Sequence, residues 1–267
     1  MKRLDFPLDG RHAFIGGEWV VLEGASKIPA ISPSDESLLG HIAAAKAEHV
    51  DMAVARIKPA LAEWKALSVA QRAKYLVKYG KVLEAPADHL TELDVQDGGM
   101  TVTKSGEDVK RSIKWCTDYI GYAMELKGRT YASASDTLSY TTRDPYGIVG
   151  QIAPFNHPQN FGAKAILPAV IAGNAVLVKP PEQASLSTLA LAQLAKDVFP
   201  PGIVNVITGH GREVGNAIAA HPQIPRIGFV GSVPTGRRIL EAGAACIKHV
   251  TLELGGKNPL IVTDGID

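Results

Sequence analysis

Several short segments of the chain place side chains that could stabilise charge next to prolines or glycines that fix the backbone. Asn156 lies between two prolines in the segment Pro154-Phe155-Asn156-His157-Pro158. Composition alone favours a turn residue here, whereas a functional amide would donate a hydrogen bond to a developing oxyanion. We interpret His157 as a turn residue rather than a base, because nothing near it in the sequence marks a partner.

A lysine and a glutamate flank two prolines in Lys179-Pro180-Pro181-Glu182. Because the prolines fix the backbone, the two charged side chains are expected to lie close together. One interpretation is a solvated ion pair at the start of a helix. The other is that both side chains hold ribose hydroxyls, since the ammonium donates, the carboxylate accepts, and the carboxylate would repel a 2′-phosphate.

Two glycine-containing segments could approach a phosphate group. Residues 209–215 read G-x-G-x-x-x-G, which is one residue away from the dinucleotide fingerprint and favours a tight turn with close packing. In residues 231–236, Gly231 permits an unusual turn, Ser232 suits an N-cap and Pro234 suits the first helical turn. The free N–H groups at such a helix start form an anion site, although a well-capped helix without a ligand would have the same sequence.

Glu253 lies in a strand candidate that is otherwise apolar, in the segment Leu252-Glu253-Leu254 followed by two glycines and Lys257. A carboxylate at such a position is costly unless it is paired or useful. Burial would raise its pKa and suit it to general-base work. A structural salt bridge to Lys257 is the alternative.

These segments belong to a pattern of alternating strands and helices that begins at Gly147. Strands are predicted at 147–152, 175–179, 204–207, 227–230 and 249–254, with helices at 161–171, 186–198, 211–220 and 234–244. Short connections of this kind predict an α/β fold, in which helices cover both faces of a parallel sheet. Ligands bind at the carboxyl ends of the strands in such a sheet, and the segments described above lie there.

The residues before Gly147 form two further regions. Residues 1–45 read as short strands and turns, and helices are predicted at 69–83 with Ser68 as the N-cap, at 87–95 and at 107–126. Residues 129–143 are rich in Thr, Ser and Tyr and predict an extended hairpin that leaves the compact body. We therefore divide the chain into an amino-terminal helical part over 1–128, a hairpin arm over 129–146 and an α/β part over 147–267.

The composition of the 267-residue chain excludes several classes of protein. Hydrophobic residues at 46% and charged residues at 21% are typical of a globular protein rather than a disordered one. The formal net charge of +1 gives no general attraction to nucleic acid or to a membrane, and no apolar run is long enough to span a bilayer. Two cysteines fit a reducing compartment, and the start carries no secretory signal, so a cytoplasmic protein is expected.

Taken together and in order, five segments resemble the NAD(P)-dependent aldehyde dehydrogenase superfamily. They are Pro154-Phe155-Asn156, residues 172–182 (AGNAVLVKPPE), residues 199–205 (FPPGIVN), residues 231–236 (GSVPTG) and residues 252–257 (LELGGK). The resemblance implies a Rossmann-like dinucleotide-binding domain, a catalytic domain and a small arm for oligomer formation. Residues 147–267 would then carry the dinucleotide site, and residues 129–146 would be the arm.

The resemblance also implies a role for each motif. Asn156 would stabilise the oxyanion of a thiohemiacetal, Glu253 would activate the water that hydrolyses the thioester, and Lys179 with Glu182 would hold the adenosine ribose. The helix that starts at Ser232 would carry the pyrophosphate. The implied cofactor-binding residues are Ile152, Ala153, Pro154, Phe155, Lys179, Glu182, Gly211, Gly231, Ser232, Gly236 and Leu254. We expect NAD rather than NADP, a small-molecule aldehyde as substrate, a homo-oligomer in the full-length form and no metal site.

The sequence departs from the family pattern at the nucleophile. The family's cysteine lies a few dozen residues beyond LELGGK, and this sequence stops at Asp267. Cys116 lies on an apolar helical face, and Cys246 matches no family position. We therefore expect an aldehyde dehydrogenase half that is inactive alone, its catalytic domain being absent or supplied by another chain. The alternative is a non-catalytic nucleotide-binding or assembly module, and an unrelated Rossmann dehydrogenase fails on the order of the motifs.

Overall fold

A computed structural model describes residues 4–256 and 258–265 of the chain. Its strands are β1 (His12–Ile15), β2 (Glu18–Val21), β3 (Ser26–Ile31), β4 (Leu38–Ala44), β5 (Thr130–Tyr131), β6 (Ser139–Tyr140), β7 (Ile148–Ile152), β8 (Ala175–Lys179), β9 (Val204–Val206), β10 (Arg226–Gly231) and β11 (His249–Leu254). Its helices are α1 (Ala47–Ala66), α2 (Val69–Glu84), α3 (Ala87–Gly98), α4 (Val102–Met124), α5 (Pro158–Ile171), α6 (Leu186–Ala195), α7 (Asn216–Ala220) and α8 (Val233–Ala244). A π-helical turn at Gly211–Gly215 leads into α7.

Seven strands form one sheet in the order β11-β10-β7-β8-β9-β1-β2. The first five strands in this order are parallel, whereas β1 pairs with β9 and with β2 in the antiparallel direction. All residues of β8 are buried, so both faces of the sheet are covered at its centre, because successive side chains of a strand point to opposite faces. The expected α/β fold with a mostly parallel, Rossmann-like sheet is confirmed.

The predicted strands agree with the structure to within one residue, but five helix predictions are wrong in their limits. α5 begins at Pro158 rather than at 161, and α3 ends at Gly98 rather than at 95. α6 ends at Ala195 rather than at 198, ahead of Pro200, which disfavours helical backbone at the residue before it. α4 begins at Val102 rather than at 107, because Thr101 is a suitable N-cap and accepts a hydrogen bond from the Lys104 amide (3.4 Å). The helix predicted at 211–220 divides into the π-helical turn and α7.

The amino-terminal residues are shared between the large sheet and the helices around it. β1 and β2 extend the large sheet, whereas β3 and β4 form a separate antiparallel pair. α2 begins at its predicted cap, since Ser68 Oγ accepts a hydrogen bond from the Gln71 amide (3.2 Å). The sheet thus includes strands from both the 1–128 part and the 147–267 part, and the division into parts remains a prediction.

The hairpin predicted after residue 128 is present as the short pair of β5 and β6, in which Thr130 lies opposite Tyr140. Every residue from Met124 to Asp144 except Ser139 is exposed. This segment therefore makes little contact with the rest of the described chain. Its role in oligomer formation remains a prediction.

The core that positions the carboxyl ends of the strands lies between the sheet and helices α1, α5 and α6. α5 and α6 are buried along most of their length, which explains why their sequences are apolar on all sides. Trp64 of α1 joins this core and donates a hydrogen bond from Nε1 to the Val170 carbonyl (3.0 Å). Because each fully buried Leu or Ile side chain contributes about 1.5–3 kcal/mol, these helices hold the loops at their starts firmly.

Candidate functional site

A cavity of about 320 Å³ opens at the carboxyl ends of β7, β8 and β10. Parallel strands end at the same edge of a sheet, so residues far apart in the sequence meet there. Nine of the eleven residues predicted to bind a cofactor line this cavity: Ile152, Ala153, Pro154, Phe155, Lys179, Glu182, Gly211, Gly231 and Ser232.

Lys179 and Glu182 form an ion pair in the wall of this cavity. Lys179 is the last residue of β8 and is 3% exposed, and its Nζ lies 2.6 Å from Glu182 Oε2. Glu182 Oε1 also accepts a hydrogen bond from the Gly211 amide (3.5 Å), which ties the two turns together. Lys179 is thus buried while Glu182 is half-buried, with 27% of its side chain exposed. A fully solvated surface ion pair is therefore the less suitable interpretation.

The charges of this pair influence each other. Burial lowers the pKa of the Lys179 ammonium below its usual value, although the Glu182 carboxylate opposes this shift. Burial alone would raise the pKa of Glu182, but the hydrogen bond and the charge of Lys179 hold it below its usual value. Glu182 therefore presents a carboxylate acceptor beside an ammonium donor, which matches a vicinal diol.

The N-terminus of α8 borders the same cavity. Ser232 is the N-cap, and its Oγ accepts a hydrogen bond from the Thr235 amide (3.4 Å), while Pro234 lies in the first turn. Both Ser232 and Thr235 line the cavity. The free N–H groups and the positive end of the helix dipole thus face a space large enough for an anionic group.

The remaining two predicted residues, Gly236 and Leu254, lie outside the cavity lining and contact each other. A Cβ at position 236 would lie 2.8 Å from Leu254 Cδ2, so a glycine lets α8 approach the end of β11 closely. The Gly255 amide also donates a hydrogen bond to the Gly231 carbonyl (3.3 Å). These contacts hold the N-terminal turn of α8 against the end of β11.

Glu253 lines a second cavity beside the first, whereas Asn156 lines neither of the two. Ala153 and Pro154, which precede Asn156, line both the large cavity and a second one of about 210 Å³ that includes Glu253. Asn156 is exposed in the loop between β7 and α5. The oxyanion donor and the base implied by the resemblance are therefore on loops and strands that meet at the same edge of the sheet.

The expectation that Glu253 is buried is wrong. Its side chain is exposed because β11 is the edge strand of the sheet and pairs only with β10. Exposure removes the argument that burial prepares Glu253 as a base. The alternative salt bridge to Lys257 involves a residue that lies outside the described part of the chain.

One side-chain contact near the site was missed by sequence reasoning. His157 Nδ1 lies 2.5 Å from Oδ2 of Asp108, a fully buried residue of α4 that is 49 positions away in the sequence. The interpretation of His157 as a turn residue without a marked partner is therefore incomplete. The available signal was a charged residue on the inward face of α4, next to the apolar Val109.

The chain is similar in sequence to known proteins over almost its whole length. The model of the aldehyde dehydrogenase family matches residues 19–267. This chain belongs to the aldehyde dehydrogenase family. It is 38% identical over 275 aligned positions to aminoaldehyde dehydrogenase 2, peroxisomal, of Pisum sativum, with 99% of this chain and 54% of that protein covered. It is 35% identical to betaine aldehyde dehydrogenase, chloroplastic, of Amaranthus hypochondriacus, with 96% and 53% covered.

Solved structures of family members superpose well on this chain. PnpE from Pseudomonas sp. WBC-3 is 38% identical with a TM-score of 0.89, and the match covers 92% of this chain and 51% of that one. PnpE is also known in complex with nicotinamide adenine dinucleotide. The chain spans about half the length of the curated relatives and of the solved family members that it matches.

Neither cysteine of this family member is prepared as a nucleophile at the cavities. Cys116 is buried on α4, and burial raises its pKa to about 12, so the thiol stays protonated at neutral pH. Cys246 is exposed after α8, and neither cysteine lines the two cavities described above. Across residues 4–256 and 258–265, no group of three or more His, Cys, Asp or Glu side chains is arranged to hold a metal ion.

No helix in the described part of this aldehyde dehydrogenase chain is long and apolar enough to cross a membrane.

Proposed function

We propose that this chain is the dinucleotide-binding half of an aldehyde dehydrogenase, which oxidises a small aldehyde to a carboxylic acid with NAD. The observation that carries the proposal is the cavity in which nine of the eleven implied cofactor-binding residues come together. NAD supplies the hydride acceptor when it is bound. The rest of the chemistry depends on how the protein binds and orients its ligands.

The Lys179–Glu182 ion pair and the start of α8 suit the two ends of the adenosine diphosphate group. The Lys179 ammonium donates to a ribose hydroxyl and the Glu182 carboxylate accepts from one, while the first turn of α8 binds the pyrophosphate through its free N–H groups. Gly236 and Leu254 support that turn by close packing. The residues present therefore fit the cofactor that the family implies.

Glu182 is the reason to propose NAD rather than NADP. Its carboxylate, fixed by Lys179 and by the Gly211 amide, would meet the negative charge of a 2′-phosphate in a poorly screened crevice.

Asn156 and Glu253 are proposed to act on the substrate. The Asn156 amide donates to the oxyanion that forms when a cysteine thiolate adds to the aldehyde carbon, and Glu253 takes a proton from the water that later attacks the thioester. The thiolate itself is assigned to a catalytic half, because Cys116 and Cys246 do not line either cavity. The chain alone therefore binds cofactor without turning over aldehyde.

A second function follows from the same observation about the cysteines. If no catalytic half joins this chain, it is a nucleotide-binding or assembly module without turnover. The exposed arm around β5 and β6 suits assembly in either case, and we propose a homo-oligomer of the full-length form. The cytoplasm is the proposed location, although relatives are named for peroxisomes and chloroplasts.

Isolation of the native protein from its source tests the proposal and separates the two functions. Intact mass shows whether the native polypeptide or complex exceeds these 267 residues, and absorbance follows NADH formation with a panel of aldehydes. Aldehyde-dependent NADH formation by a larger species supports the enzyme. NAD binding without turnover supports the module, and failure to bind NAD contradicts both.

A further inference from the structure

The loop that carries Asn156 is joined to α4 by one buried side-chain contact. His157 is the N-cap residue of α5, but its side chain makes no capping hydrogen bond. The ring instead reaches Asp108 on α4, with 2.5 Å between Nδ1 and Oδ2. The residue next to the proposed oxyanion donor is therefore tied to a different helix.

Asp108 is the fixed point of this contact. Its side chain is fully buried, and it accepts hydrogen bonds from Arg111 Nη1 (3.2 Å) and Asn160 Nδ2 (3.4 Å) as well as from His157. Both of these other groups can only donate, so the carboxylate accepts from each of them. An ionised carboxylate also accepts from His157, and this contact then requires the proton of a neutral His157 on Nδ1.

A second buried carboxylate lies near the His157–Asp108 pair. Asp94 of α3 is fully buried and accepts a hydrogen bond from the Gln159 amide (3.1 Å) at the start of α5. Burial raises the pKa of Asp94 to about 6, with Asp108 raising it further and His157 lowering it, which reflects how near the three side chains are. The start of α5 is thus held by α3 through Asp94 and by α4 through Asp108.

His157 itself is only partly enclosed. Its side chain is 32% exposed, and among the described residues no partner is found for Nε2. The ring therefore joins the fully buried Asp108 to the exposed loop that carries Asn156. Pro154 and Pro158 restrict the backbone of this loop, but within the described part of the chain no side-chain hydrogen bond holds Asn156 itself.

We propose that His157 is a positioning residue, which through the buried carboxylate of Asp108 fixes the loop so that the Asn156 amide is held ready for the oxyanion. The inference rests on the proposed function for the role of Asn156. The geometry of the His157–Asp108 contact is independent of that function. A misplacement of about 1 Å in a reacting group can cost about 10²-fold in rate, so fixing this loop matters for the amide.

The first test uses nuclear magnetic resonance on the chain, with Leu260→Asp and Ile261→Asp introduced in every sample, including the one that is otherwise wild type, to oppose self-association through these exposed side chains. In the wild type, the backbone order parameters of Phe155 and Asn156 are expected near about 0.85, and neutral His157 is expected as the Nδ1–H tautomer in its ¹⁵N shifts. His157→Phe keeps an aromatic ring without a donor and should lower both order parameters below about 0.6, while Phe161 in α5 stays near about 0.85. His157→Asn retains a donor in a similar position and should restore them.

His12→Phe is the matched control, because His12 also bonds to a carboxylate (Asp9, 2.8 Å) but lies on β1. It should leave the order parameters of the loop unchanged. Unchanged loop order in His157→Phe, an equal loss of order throughout α5, or the Nε2–H tautomer in the wild type would each overturn the proposal.

The second test measures the burst of NADH in the complete native enzyme. His157→Phe should slow the burst about tenfold or more, while KM for the aldehyde stays within about twofold and His157→Asn recovers most of the rate. A burst at the wild-type rate in His157→Phe would overturn the proposal. If the wild-type enzyme forms no NADH from any aldehyde, the proposed function fails, and the order parameters still decide whether His157 positions the loop.

Discussion

At the scale of single residues, the central feature is the Glu182 carboxylate, which accepts hydrogen bonds from two neighbouring donors. Glu182 accepts hydrogen bonds from the Lys179 ammonium (2.6 Å) and from the Gly211 amide (3.5 Å), so it is held in one orientation in the cavity wall. A ligand hydroxyl can share this acceptor, but a phosphate cannot approach it without like-charge repulsion. The Glu182 side chain should therefore determine the preference between NAD and NADP, which differ by one phosphate.

We predict that the chain binds NAD about tenfold or more tightly than NADP, which is roughly 1.4 kcal/mol. Glu182→Gln keeps the shape and removes the charge, so it should reduce the difference to within about threefold, mainly by improving NADP binding. Calorimetric titration with both dinucleotides measures this. Glu18→Gln, at an exposed residue of β2 paired with Arg56, is the control and should change neither affinity. Equal or tighter binding of NADP to the wild type would mean that Glu182 does not face the ribose.

The two residues proposed to act on the substrate should separate in a transient experiment on the complete enzyme. Glu253→Gln removes a base needed after hydride transfer, so steady turnover should fall by about 10²–10⁴ while the NADH burst survives and acyl-enzyme accumulates. Asn156→Ala removes an oxyanion donor needed earlier and should slow the burst itself by about 10²–10³. Stopped-flow absorbance and intact mass follow the two quantities. The reverse pattern would show that the roles are exchanged.

At the scale of elements, α3 supports the starts of two buried helices with carboxylates. Asp94 accepts the Gln159 amide of α5 (3.1 Å), and Asp97 accepts the Leu186 amide of α6 (2.7 Å). Burial raises the pKa of Asp94 to about 6 and that of Asp97 to about 7, against an ordinary value of 3.8. The two carboxyls are three positions apart on one helix, so they lie on the same face.

These raised pKa values predict how stability depends on pH. Between pH 4 and 7 the folded chain keeps protons on these carboxyls that the unfolded chain has already released, so their contribution to stability falls as pH rises through this window. The Asp97→Asn variant has no group that can ionise at this position. The difference between its free energy of unfolding and that of the wild type should therefore shift in favour of the variant by roughly 2–4 kcal/mol from pH 4.5 to pH 8. Urea unfolding at several pH values measures this. Asp88→Asn, at an exposed residue of α3, should track the wild type, and a difference for Asp97→Asn that does not change with pH would contradict the prediction.

Elements were predictable from the sequence where local interactions decide them. β8 was predicted at both ends because an apolar run stops at two prolines, and the N-cap of α8 because Ser232 precedes Pro234. The contact of His157 with Asp108 could not be predicted, since it joins residues 49 positions apart. The exposure of Glu253 depends on β11 lying at the edge of the sheet, and strand order is set by packing of the whole domain rather than by the local pattern.

At the scale of the whole molecule, apolar side chains near the end of the described residues lack cover. Leu260, Ile261 and Val262 are 90%, 80% and 72% exposed, and Leu254 on the edge strand β11 is 40% exposed. The described residues 258–265 form no strand that could cover the edge of the sheet. Contiguous apolar surface next to an open sheet edge favours association.

The isolated chain is therefore predicted to self-associate in gel filtration at micromolar concentration. Leu260→Asp combined with Ile261→Asp should shift the elution toward the monomer, because charge opposes burial of this surface. Val102→Asp, at an exposed apolar residue of α4, is the control and should not. A stable monomer of the wild type would show that the chain tolerates these exposed side chains without a partner.

The central claim is that this family member provides the dinucleotide site and not the nucleophile. NADH formation by the purified chain, given saturating NAD and a panel of aldehydes, tests it most directly. We predict no turnover, because hydride transfer requires a thiohemiacetal and neither Cys116 nor Cys246 lines the two cavities described above. Steady NADH formation that persists when both Cys116→Ser and Cys246→Ser are introduced would contradict it.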